Sequence, residues 1–423
     1  MSAIPLRLLP DSSTIGTDDS LSIGGVRVAE LAAQYGTPLF VYDEEHLRAR
    51  CRAAVNAFGA GNVVYATKAF ICGAMARLAH EEGLLLDVAT GGELHTVLHA
   101  GVPASSCVLH GNNKSLDELR MAIAAGIDHI VVDSFDEIDR IEKLHADGLP
   151  VVRVQLRITP GVHVHTHEYV STGQDDSKFG FNLNNGDAHK AIARAQSSVA
   201  IDLIGIHCHI GSNVFAVDNF AAASKVMVDL FSTLNLSELT LGGGLGVAYT
   251  ENEEAPTIEQ WAAVLQRATQ SLLAGSNVSV EPGRSIVASA GVTVYTVGTV
   301  KPIDGIRTYI SVDGGMSDNP RPVLYGSGYE AFDPARMSAD RTDSARIVGK
   351  HCESGDILVE SAAVAPNVSV GDLLVMPVTG AYGYSMASNY NKVMRPAVVF
   401  VSDGESRLVV RRETYDDLVR LDL

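Results

Sequence analysis

A lysine that follows an apolar run is the first residue in this sequence that could carry out chemistry. Lys68 comes directly after the run from Val63 to Thr67, whose β-branched and aromatic residues favour a strand. At the carboxyl end of a strand in an α/β fold, a lysine points toward the place where ligands bind. Its amine can there become a nucleophile that forms Schiff bases. An ordinary surface lysine is the alternative, and the rest of the chain has to decide.

Length and composition limit the classes of protein to consider. The chain has 423 residues, 46% of them apolar, which predicts two domains with a sizeable core. Its formal net charge of −18 argues against nucleic acid or an anionic membrane as partner. The five scattered cysteines show no metal-binding spacing, so we expect reduced thiols in the cytoplasm and no metal site. We also expect no membrane span and no signal peptide.

Strand and helix patterns alternate from about residue 41 to residue 285. Eight such units predict a closed (β/α)8 barrel, and an open doubly wound sheet is the alternative. We favour the barrel because no dinucleotide-binding glycine motif follows the first strand. The candidate strands start near Val63, Leu84, Cys107, His129, Val151, Leu203, Leu239 and Val278.

After Ile286 the pattern changes to short β-like runs separated by Gly, Asp and Pro. These runs predict a separate all-β domain, a sandwich or small barrel. The segment Pro38 to Tyr42 is a possible strand that could complete it. We therefore predict a barrel over residues 41–285 and a β domain formed by residues 1–40 with 286–423. The C-terminal runs cover residues 292–297, 308–312, 356–359, 372–376, 397–401 and 407–411.

The carboxyl ends of the eight strands should face one common site. Each of these ends is polar or rich in glycine, whereas the strand bodies are apolar. Structural need alone does not explain such a concentration of Lys, His, Glu and Arg. The groups that follow the strands are, in chain order, Lys68, Asp87 to Glu93, His110 to Lys114, Asp133, Arg157, His207 to Ser212, Gly242 to Gly246 and Glu281 to Arg284.

The glycine run Gly242, Gly243 and Gly244 suits a phosphate group. Without side chains, backbone N–H groups approach an anion closely, and a helix that began after the run would add a favourable dipole. A tight turn is the alternative reading. The position after the seventh strand is one where barrels often hold phosphate, and Ser212 could add a hydroxyl donor.

Two further side chains suit a flat cofactor. His209 could stack on an aromatic ring, although His207 points the same way from a strand and spacing does not separate the two. Glu281 could pair with a protonated ring nitrogen, with an ion pair to Arg284 as the alternative. A Schiff-base lysine, a phosphate cradle, a stacking ring and such a carboxylate together describe a site for pyridoxal 5'-phosphate.

These motifs and several others resemble one known enzyme family. The set is similar to the diaminopimelate decarboxylases, which belong to the alanine-racemase-like (fold type III) pyridoxal phosphate decarboxylases. Phe70 departs from the Asn that many relatives carry at that position. The motifs are Tyr65 to Ala69, His167 to Gly173, Lys178 to Gly180, His207 to Ser212, Gly242 to Gly246, Glu281 to Arg284, Asp313 to Asp318, Arg321 to Tyr325, Cys352 to Asp356 and Gly380 to Tyr382.

The resemblance implies decarboxylation of meso-2,6-diaminopimelate to L-lysine and CO2, the last step of lysine biosynthesis. It also implies a head-to-tail homodimer with shared active sites, in which Cys352 and Glu353 reach into the partner's barrel. Lys68 and Cys352 would then be the catalytic pair. The cofactor would be bound by Lys68, His209, Ser212, Gly242, Gly243, Gly244, Glu281, Gly283, Arg284 and Tyr382.

The resemblance assigns the substrate to a second group of residues. Arg284, Arg321 and Tyr325 would bind the distal carboxylate and Glu353 the distal ammonium, with Tyr382 also touching substrate. For Arg321 and Glu353, interface salt bridges are the alternative. Three other functions compete: a decarboxylase of this fold for ornithine, arginine or a carrier-bound amino acid, a racemase, and a non-catalytic pyridoxal phosphate carrier.

Overall fold

The computed structural model describes residues 4–162, 174–273 and 275–423. None of the helices in these ranges has the length and apolar character needed to cross a membrane.

The strands are β1 (Thr14–Ile15), β2 (Leu21–Ile23), β3 (Val26–Arg27), β4 (Leu39–Asp43), β5 (Val64–Ala66), β6 (Leu85–Val88), β7 (Cys107–Leu109), β8 (His129–Val132), β9 (Val152–Thr159), β10 (Phe181–Asn182), β11 (Ile201–His207), β12 (Glu238–Thr240), β13 (Asn277–Ser279), β14 (Gly291–Ile303), β15 (Arg307–Val312), β16 (Asp343–Val348), β17 (Ile357–Val364), β18 (Leu373–Met376), β19 (Ala397–Ser402) and β20 (Glu405–Val410).

The α-helices lie mainly between the strands of the first two thirds of the chain. They are α1 (Val28–Tyr35), α2 (Glu44–Phe58), α3 (Gly73–Glu81), α4 (Gly91–His99), α5 (Leu116–Ala125), α6 (Phe135–Ala146), α7 (Asp187–Ser197), α8 (Val217–Phe231), α9 (Ile258–Thr269), α10 (Arg284–Val287), α11 (Arg321–Tyr325) and α12 (Tyr415–Val419).

The chain divides into two compact units. The barrel unit comprises residues 50–246 and 255–285, and the β unit comprises residues up to 49 together with 247–254 and 286–423. Residues 247–254, which lie between β12 and α9 in the chain, therefore belong with the β unit.

The barrel unit contains the predicted ring of eight parallel strands. Its order is β13-β12-β11-β9-β8-β7-β6-β5, with the short β10 added beside β9. A parallel bridge between Val63 and Val280 joins the two ends of this order. The backbone N–H of Val64 donates to the carbonyl of Val280 at 2.8 Å, and the N–H of Val280 donates to the carbonyl of Asn62 at 2.9 Å. The prediction of a (β/α)8 barrel is confirmed.

Local sequence signals fix where the outer helices begin and end. Ser115 caps α5 in a reciprocal capping box with Glu118, and Gly126 ends this helix in the left-handed conformation. On the outside of the barrel, the buried indole of Trp261 in α9 packs against the rings of Phe58 and Phe220, with centroids 5.0 and 5.6 Å away. Aromatic burial of this kind supplies much of the packing energy between helices.

The β unit is built on a sheet with the order β17-β16-β15-β14-β4-β19-β20, and β18 also pairs with β14. Strand β4 comes from the N-terminal segment and lies between β14 and β19, which confirms that this segment completes the β domain. Strand β16 had no counterpart among the predicted runs. Only Ala345 and Ile347 of this strand are buried, so its sequence carries a weak apolar signal.

Two buried carboxylates shape the loop from Asp313 to Asp318 in the β unit. Asp356 accepts the backbone N–H groups of Met316 at 2.6 Å and His351 at 2.9 Å. Asp318 accepts the hydroxyl of Tyr295 and the N–H of Gly315. Burial nevertheless raises the pKa of Asp318 to about 7.

We expect Asp318→Asn to change how stability depends on pH. The folded pKa of Asp318 lies above its unfolded value, so the folded state binds the extra proton. The stability from this group is full below about pH 4 and is lost as pH rises to about 7. Asparagine has no such titration. Between pH 5 and pH 8 the wild-type protein should lose about 2 kcal/mol of stability that the variant does not lose. The melting temperature of the variant relative to wild type should therefore rise over this range.

The control is Asp403→Asn, which changes a carboxylate in the exposed turn between β19 and β20. Thermal melts at several pH values should show a constant difference from wild type for this variant. A constant difference for Asp318→Asn as well would contradict the assignment of a titrating Asp318.

Candidate active site at the carboxyl ends of the barrel strands

Lys68 lies in a single 3-10 turn, Thr67–Ala69, directly after β5. Lys68 is exposed, whereas both of its neighbours are buried. The hydroxyl of Thr67 donates to the carbonyl of Asp87 at 2.7 Å and so ties this turn to the end of β6. Next to the turn, the buried Phe70 receives the hydroxyl of Tyr65 on its carbonyl at 2.6 Å. The amine is thus presented from a rigid support, as the strand pattern predicts.

Glu281, directly after the last barrel strand, is held by two histidines from other strands. His207 Nε2 lies 2.9 Å from Glu281 Oε2, in a hydrogen bond. His110 Nε2 lies 3.0 Å from Glu281 Oε1, with the ring tilted from ideal hydrogen-bond geometry. All three side chains are buried. The two imidazoles therefore contact opposite oxygens of one carboxylate.

Burial and these contacts determine the charges of the cluster. Burial alone would raise the pKa of Glu281, but its contacts with His207 and His110 outweigh burial and hold that pKa well below its ordinary value. Burial lowers the pKa of His207, although Glu281 opposes the shift. At neutral pH the cluster is accordingly a carboxylate with a neutral His207.

His209 lies on the glycine run. Its Nδ1 accepts the backbone N–H of Gly243 at 3.2 Å, which leaves Nε2 as the protonated nitrogen of the neutral ring. Burial and the positive charge of Lys68 hold the pKa of His209 well below its ordinary value. The sequence left open whether His207 or His209 faces a ligand. The structure gives them different partners, because His207 binds Glu281 and His209 contacts the glycines.

The glycine run forms a surface that no other residue type would allow. An added Cβ would come within 1.9 Å of the Glu281 carbonyl oxygen at Gly243, and within 2.1 Å of the Gly211 carbonyl oxygen at Gly244. Gly242 has φ +62°, which favours glycine. No helix follows the run directly, because the next one, α9, begins at Ile258. The expectation of a helix dipole after the run is therefore wrong.

Three of the other expected phosphate ligands, Ser212, Gly283 and Arg284, lie in the barrel unit, whereas Tyr382 belongs to the β unit. Arg284 is buried, and its Nη2 donates to Ser212 Oγ at 2.8 Å. An added Cβ at Gly283 would lie 3.0 Å from the carbonyl oxygen of Ala66, two residues before Lys68. The donor set of hydroxyl, guanidinium and bare backbone fits a phosphate, and the clamped carboxylate fits a protonated ring nitrogen. The residues present therefore fit pyridoxal phosphate.

Arg321 is the centre of an aromatic cluster in the β unit. Its guanidinium donates to the hydroxyl of Tyr329 and lies 4.2 Å from the ring centroid of Tyr249. Burial opposes its charge, but the hydroxyls of Tyr329 and Tyr249 outweigh burial, so the pKa of Arg321 is raised above its ordinary value. In residues 4–162, 174–273 and 275–423, no carboxylate forms an ion pair with Arg321.

Tyr325 and Tyr382 are half-buried in the same unit, and Tyr382 has φ +60°. The charge on Arg321 is also influenced by Tyr382. These two tyrosines, with Arg321, are the predicted substrate-binding residues that the β unit supplies besides Glu353.

Cys352 and Glu353 lie in an exposed loop before β17. Cys352 is the exposed cysteine, and the other four cysteines are buried. Asn391 Oδ1 accepts the N–H of Cys352 at 3.1 Å and lies 3.3 Å from His351 Nδ1. The buried carboxylate of Asp356 accepts the backbone N–H of His351 and so fixes the same loop. The loop therefore presents Cys352 and Glu353 outward on a fixed backbone.

The sequence pattern missed three residues that contact the predicted site residues Glu281 and Arg321. His110 was noted only as a strand end, although the structure places it on Glu281, and Tyr249 and Tyr329 were not singled out at all. A strand-end position was the signal for His110, whereas no sequence signal links the two tyrosines to Arg321. The predicted motif from His167 to Gly173 lies outside the described residues.

The cluster of His110, His207 and Glu281 also has the spacing of a metal site. One ligand atom from each residue lies within 4.8 Å of the others. The hydrogen bond from His207 and the close contact of His110 already account for this spacing, so we assign it to the carboxylate and not to a metal.

Comparisons with known proteins show the family to which the chain belongs. Residues 44–288 match the sequence model of a family described as pyridoxal-dependent decarboxylase, pyridoxal binding domain. Diaminopimelate decarboxylase of Bacillus subtilis (strain 168) is 49% identical over 419 residues, which cover 95% of each chain. The enzyme of the same name from Mycobacterium tuberculosis (strain H37Rv) is 45% identical and covers 98% of this chain and 97% of its own.

A solved structure with the same fold gives a further comparison. The crystal structure of diaminopimelate decarboxylase from M. jannaschii in co-complex with L-lysine superposes with a TM-score of 0.90 at 32% identity, and covers 98% of both chains. Because these alignments cover nearly the whole chain, they include both the barrel unit and the β unit. This chain therefore belongs to the diaminopimelate decarboxylase family of pyridoxal-dependent enzymes.

Proposed function

We propose that this chain decarboxylates meso-2,6-diaminopimelate to L-lysine and CO2, with the roles given below for its residues. As a member of its family it is a carboxy-lyase that uses pyridoxal 5'-phosphate, and its reaction is the last step of lysine biosynthesis. The observation that carries the proposal is the meeting of the Lys68 turn, the Glu281 cluster and the glycine run at one end of the barrel. The five cysteines form no disulfide in the described residues, which supports a cytoplasmic location.

The bound cofactor supplies an aromatic ring that accepts the electron pair of the broken carbon–carbon bond. Lys68 would provide the amine that holds the cofactor aldehyde. Glu281 would accept a hydrogen bond from the ring nitrogen and favour its protonated form. Ser212, the Gly242 to Gly244 run, Gly283, Arg284 and Tyr382 would hold the phosphate, and His209 would lie against the ring.

The proton that replaces CO2 has to come from a nearby acid. We assign this role to Cys352 of a second copy of the chain, so that two copies share two sites. The exposed position of Cys352 in a loop fixed by Asn391 supports this assignment, because an exposed thiol on a rigid backbone is available to a partner. The four buried cysteines are poor candidates, and burial raises the pKa of Cys208 to about 12.

Substrate selection rests on the second carboxylate and ammonium of diaminopimelate. Arg321 supports the role of carboxylate receptor, because its partners are hydroxyls and rings that leave its positive charge uncompensated. Arg284 and Tyr325 complete the carboxylate site, Glu353 binds the distal ammonium, and Tyr382 contacts substrate. A polar site of this kind rejects analogues that lack the matching group.

The decisive experiment measures CO2 release from meso-diaminopimelate, L-ornithine and L-arginine side by side. We expect diaminopimelate to be preferred in kcat/KM by at least about 1000-fold, because the other two lack the distal carboxylate. Preference for ornithine or arginine would refute the proposed substrate. Racemisation without CO2 release would refute the proposed reaction.

We expect Lys68→Ala to lose the visible absorption band of the bound cofactor and to lose turnover, since no other amine replaces the bond to the aldehyde. Lys68→Arg keeps the positive charge beside His209 and should fail equally, whereas Lys190→Ala, on an exposed surface, should behave as wild type. Absorption spectra and CO2 release check these outcomes. Turnover retained by Lys68→Ala with added cofactor would contradict the role of Lys68.

We expect Lys68→Ala and Cys352→Ala subunits to restore activity when they are mixed and allowed to exchange. Each homodimer lacks an essential group at both sites, whereas a mixed dimer has one complete site and one that lacks both groups. Random mixing should therefore give about one quarter of wild-type turnover. No recovery, despite exchange shown by mass spectrometry of intact dimers, would contradict the shared site.

We expect Arg321→Ala to raise KM for diaminopimelate on the order of 100-fold while the cofactor stays bound. The variant removes the charged partner of the distal carboxylate but no cofactor ligand. The control Arg307→Ala removes an exposed arginine from β15 of the same unit and should leave KM unchanged. Steady-state kinetics and the cofactor spectrum together check this result, and loss of the cofactor band in Arg321→Ala would contradict it.

A further inference from the structure

We propose that His110 and His207 are positioning residues that hold opposite oxygens of Glu281 and thereby make this carboxylate a fixed, charged acceptor for the ring nitrogen of the cofactor. The inference rests on the proposed function, in which Glu281 meets that nitrogen. It adds two residues that the reaction itself does not require as acids, bases or ligands.

The geometry is that of a clamp with one imidazole on each oxygen. His207 Nε2 lies 2.9 Å from Oε2 of Glu281, and His110 Nε2 lies 3.0 Å from Oε1. The two rings meet edge to face, with centroids 5.1 Å apart. His110 follows β7, His207 ends β11 and Glu281 follows β13, so three separate strands converge on one carboxylate. A carboxylate with both oxygens occupied has little freedom to rotate.

Charge explains why such a clamp would be useful. An ionised carboxylate in a buried site is costly unless hydrogen bonds replace its water. The neutral imidazole of His207 supplies such a bond without cancelling the negative charge, and His110 lies close to the other oxygen. Glu281 therefore stays an anion and retains attraction for a cation, which a protonated ring nitrogen is. A cationic lysine or arginine in the same place would compete for the carboxylate instead.

The charged residues near the cluster, Asp87 and Arg157, do not replace the contacts that the two histidines make with Glu281. Asp87 Oδ1 lies 3.9 Å from His110 Nε2, and burial raises the pKa of Asp87, although His110 and Lys68 oppose the shift. Arg157 lies 3.8 Å from Asp133 through its Nε, so its charge is largely shared with that carboxylate. The two histidines contact the carboxylate of Glu281 directly, at 2.9 and 3.0 Å.

The contacts of His110 and His207 with Glu281 have a competing explanation: they could serve only to hold the barrel strands together, a role that we call a structural latch. A latch would matter equally for any ligand of the barrel, whereas a clamp that serves the ring nitrogen would matter only when that nitrogen is present. A cofactor analogue with a C–H group in place of the ring nitrogen separates the two explanations. Binding of this analogue and of pyridoxal phosphate to the cofactor-depleted full-length protein gives a readout that does not depend on turnover.

The variants are chosen as matched pairs. Glutamine places an amide N–H near the position of histidine Nε2, so His110→Gln and His207→Gln keep a donor for Glu281. His110→Leu and His207→Leu keep much of the volume but lose the donor. We expect each leucine variant to bind pyridoxal phosphate about tenfold more weakly than wild type, the loss expected for one close polar contact with a charged group. Affinity for the carbon analogue should stay within about threefold, and the glutamine variants should retain most of the preference for nitrogen.

The ring-nitrogen chemical shift of 15N-labelled cofactor provides a second measurement. We expect the nitrogen to be protonated in wild type and in the glutamine variants, and less so in the leucine variants. An equal loss of affinity for both cofactors would overturn the proposal in favour of a latch, as would leucine variants that keep the full preference for nitrogen. Failure of the proposed function would be separate, because it would show as absent cofactor binding or absent CO2 release in the wild-type protein.

Discussion

Closure of the parallel barrel is the constraint on which the rest of the site depends. The first barrel strand leads to Lys68 and the last leads to Glu281, and the two residues are far apart in the chain. Backbone hydrogen bonds from Val64 to Val280 and from Ala66 to Pro282, at 2.8 and 3.1 Å, place these strands side by side. An open sheet would leave the same two ends on opposite edges. The amine and the carboxylate therefore belong to one site only because the ring closes.

A closed barrel also creates an electrostatic difficulty that its polar end must solve. Carboxylates and cations at the strand ends lie in a site with little water, where an unpaired charge is expensive. In this structure each of these charged side chains lies close to a polar or oppositely charged partner. Glu281 has two imidazoles, Arg157 lies near Asp133, and Lys114 is 2.7 Å from Glu137. Of these three, the Lys114 pair is the close ion pair, which suits structure, whereas the neutral imidazole of His207 preserves the charge of Glu281 for a ligand.

The β unit uses a different device to keep a charge available. Arg321 is buried among tyrosine rings and hydroxyls, which stabilise a cation without neutralising it. A carboxylate partner would have stabilised the guanidinium more strongly, but it would have had to be displaced by substrate. Nearby, buried Asp356 fixes the loop that carries Cys352 and Glu353. Rigid presentation of exposed groups from a buried anchor is what a site shared between copies would need.

The sequence by itself determined the elements and most of the chemistry. Strand periodicity located the eight barrel strands, and the polar residues at their ends, with the glycine run, indicated a pyridoxal phosphate site because backbone geometry makes those positions meet. Only the tertiary structure decided which side chains touch. It placed His207 on Glu281 and His209 on Gly243, brought His110 to the same carboxylate, and surrounded Arg321 with Tyr249 and Tyr329. The alternation of residues along a strand predicts on which face of the sheet a side chain lies. It does not predict the rotamer of that side chain or the residue that it contacts across the barrel. Those depend on contacts between residues distant in the chain, which a local pattern does not record.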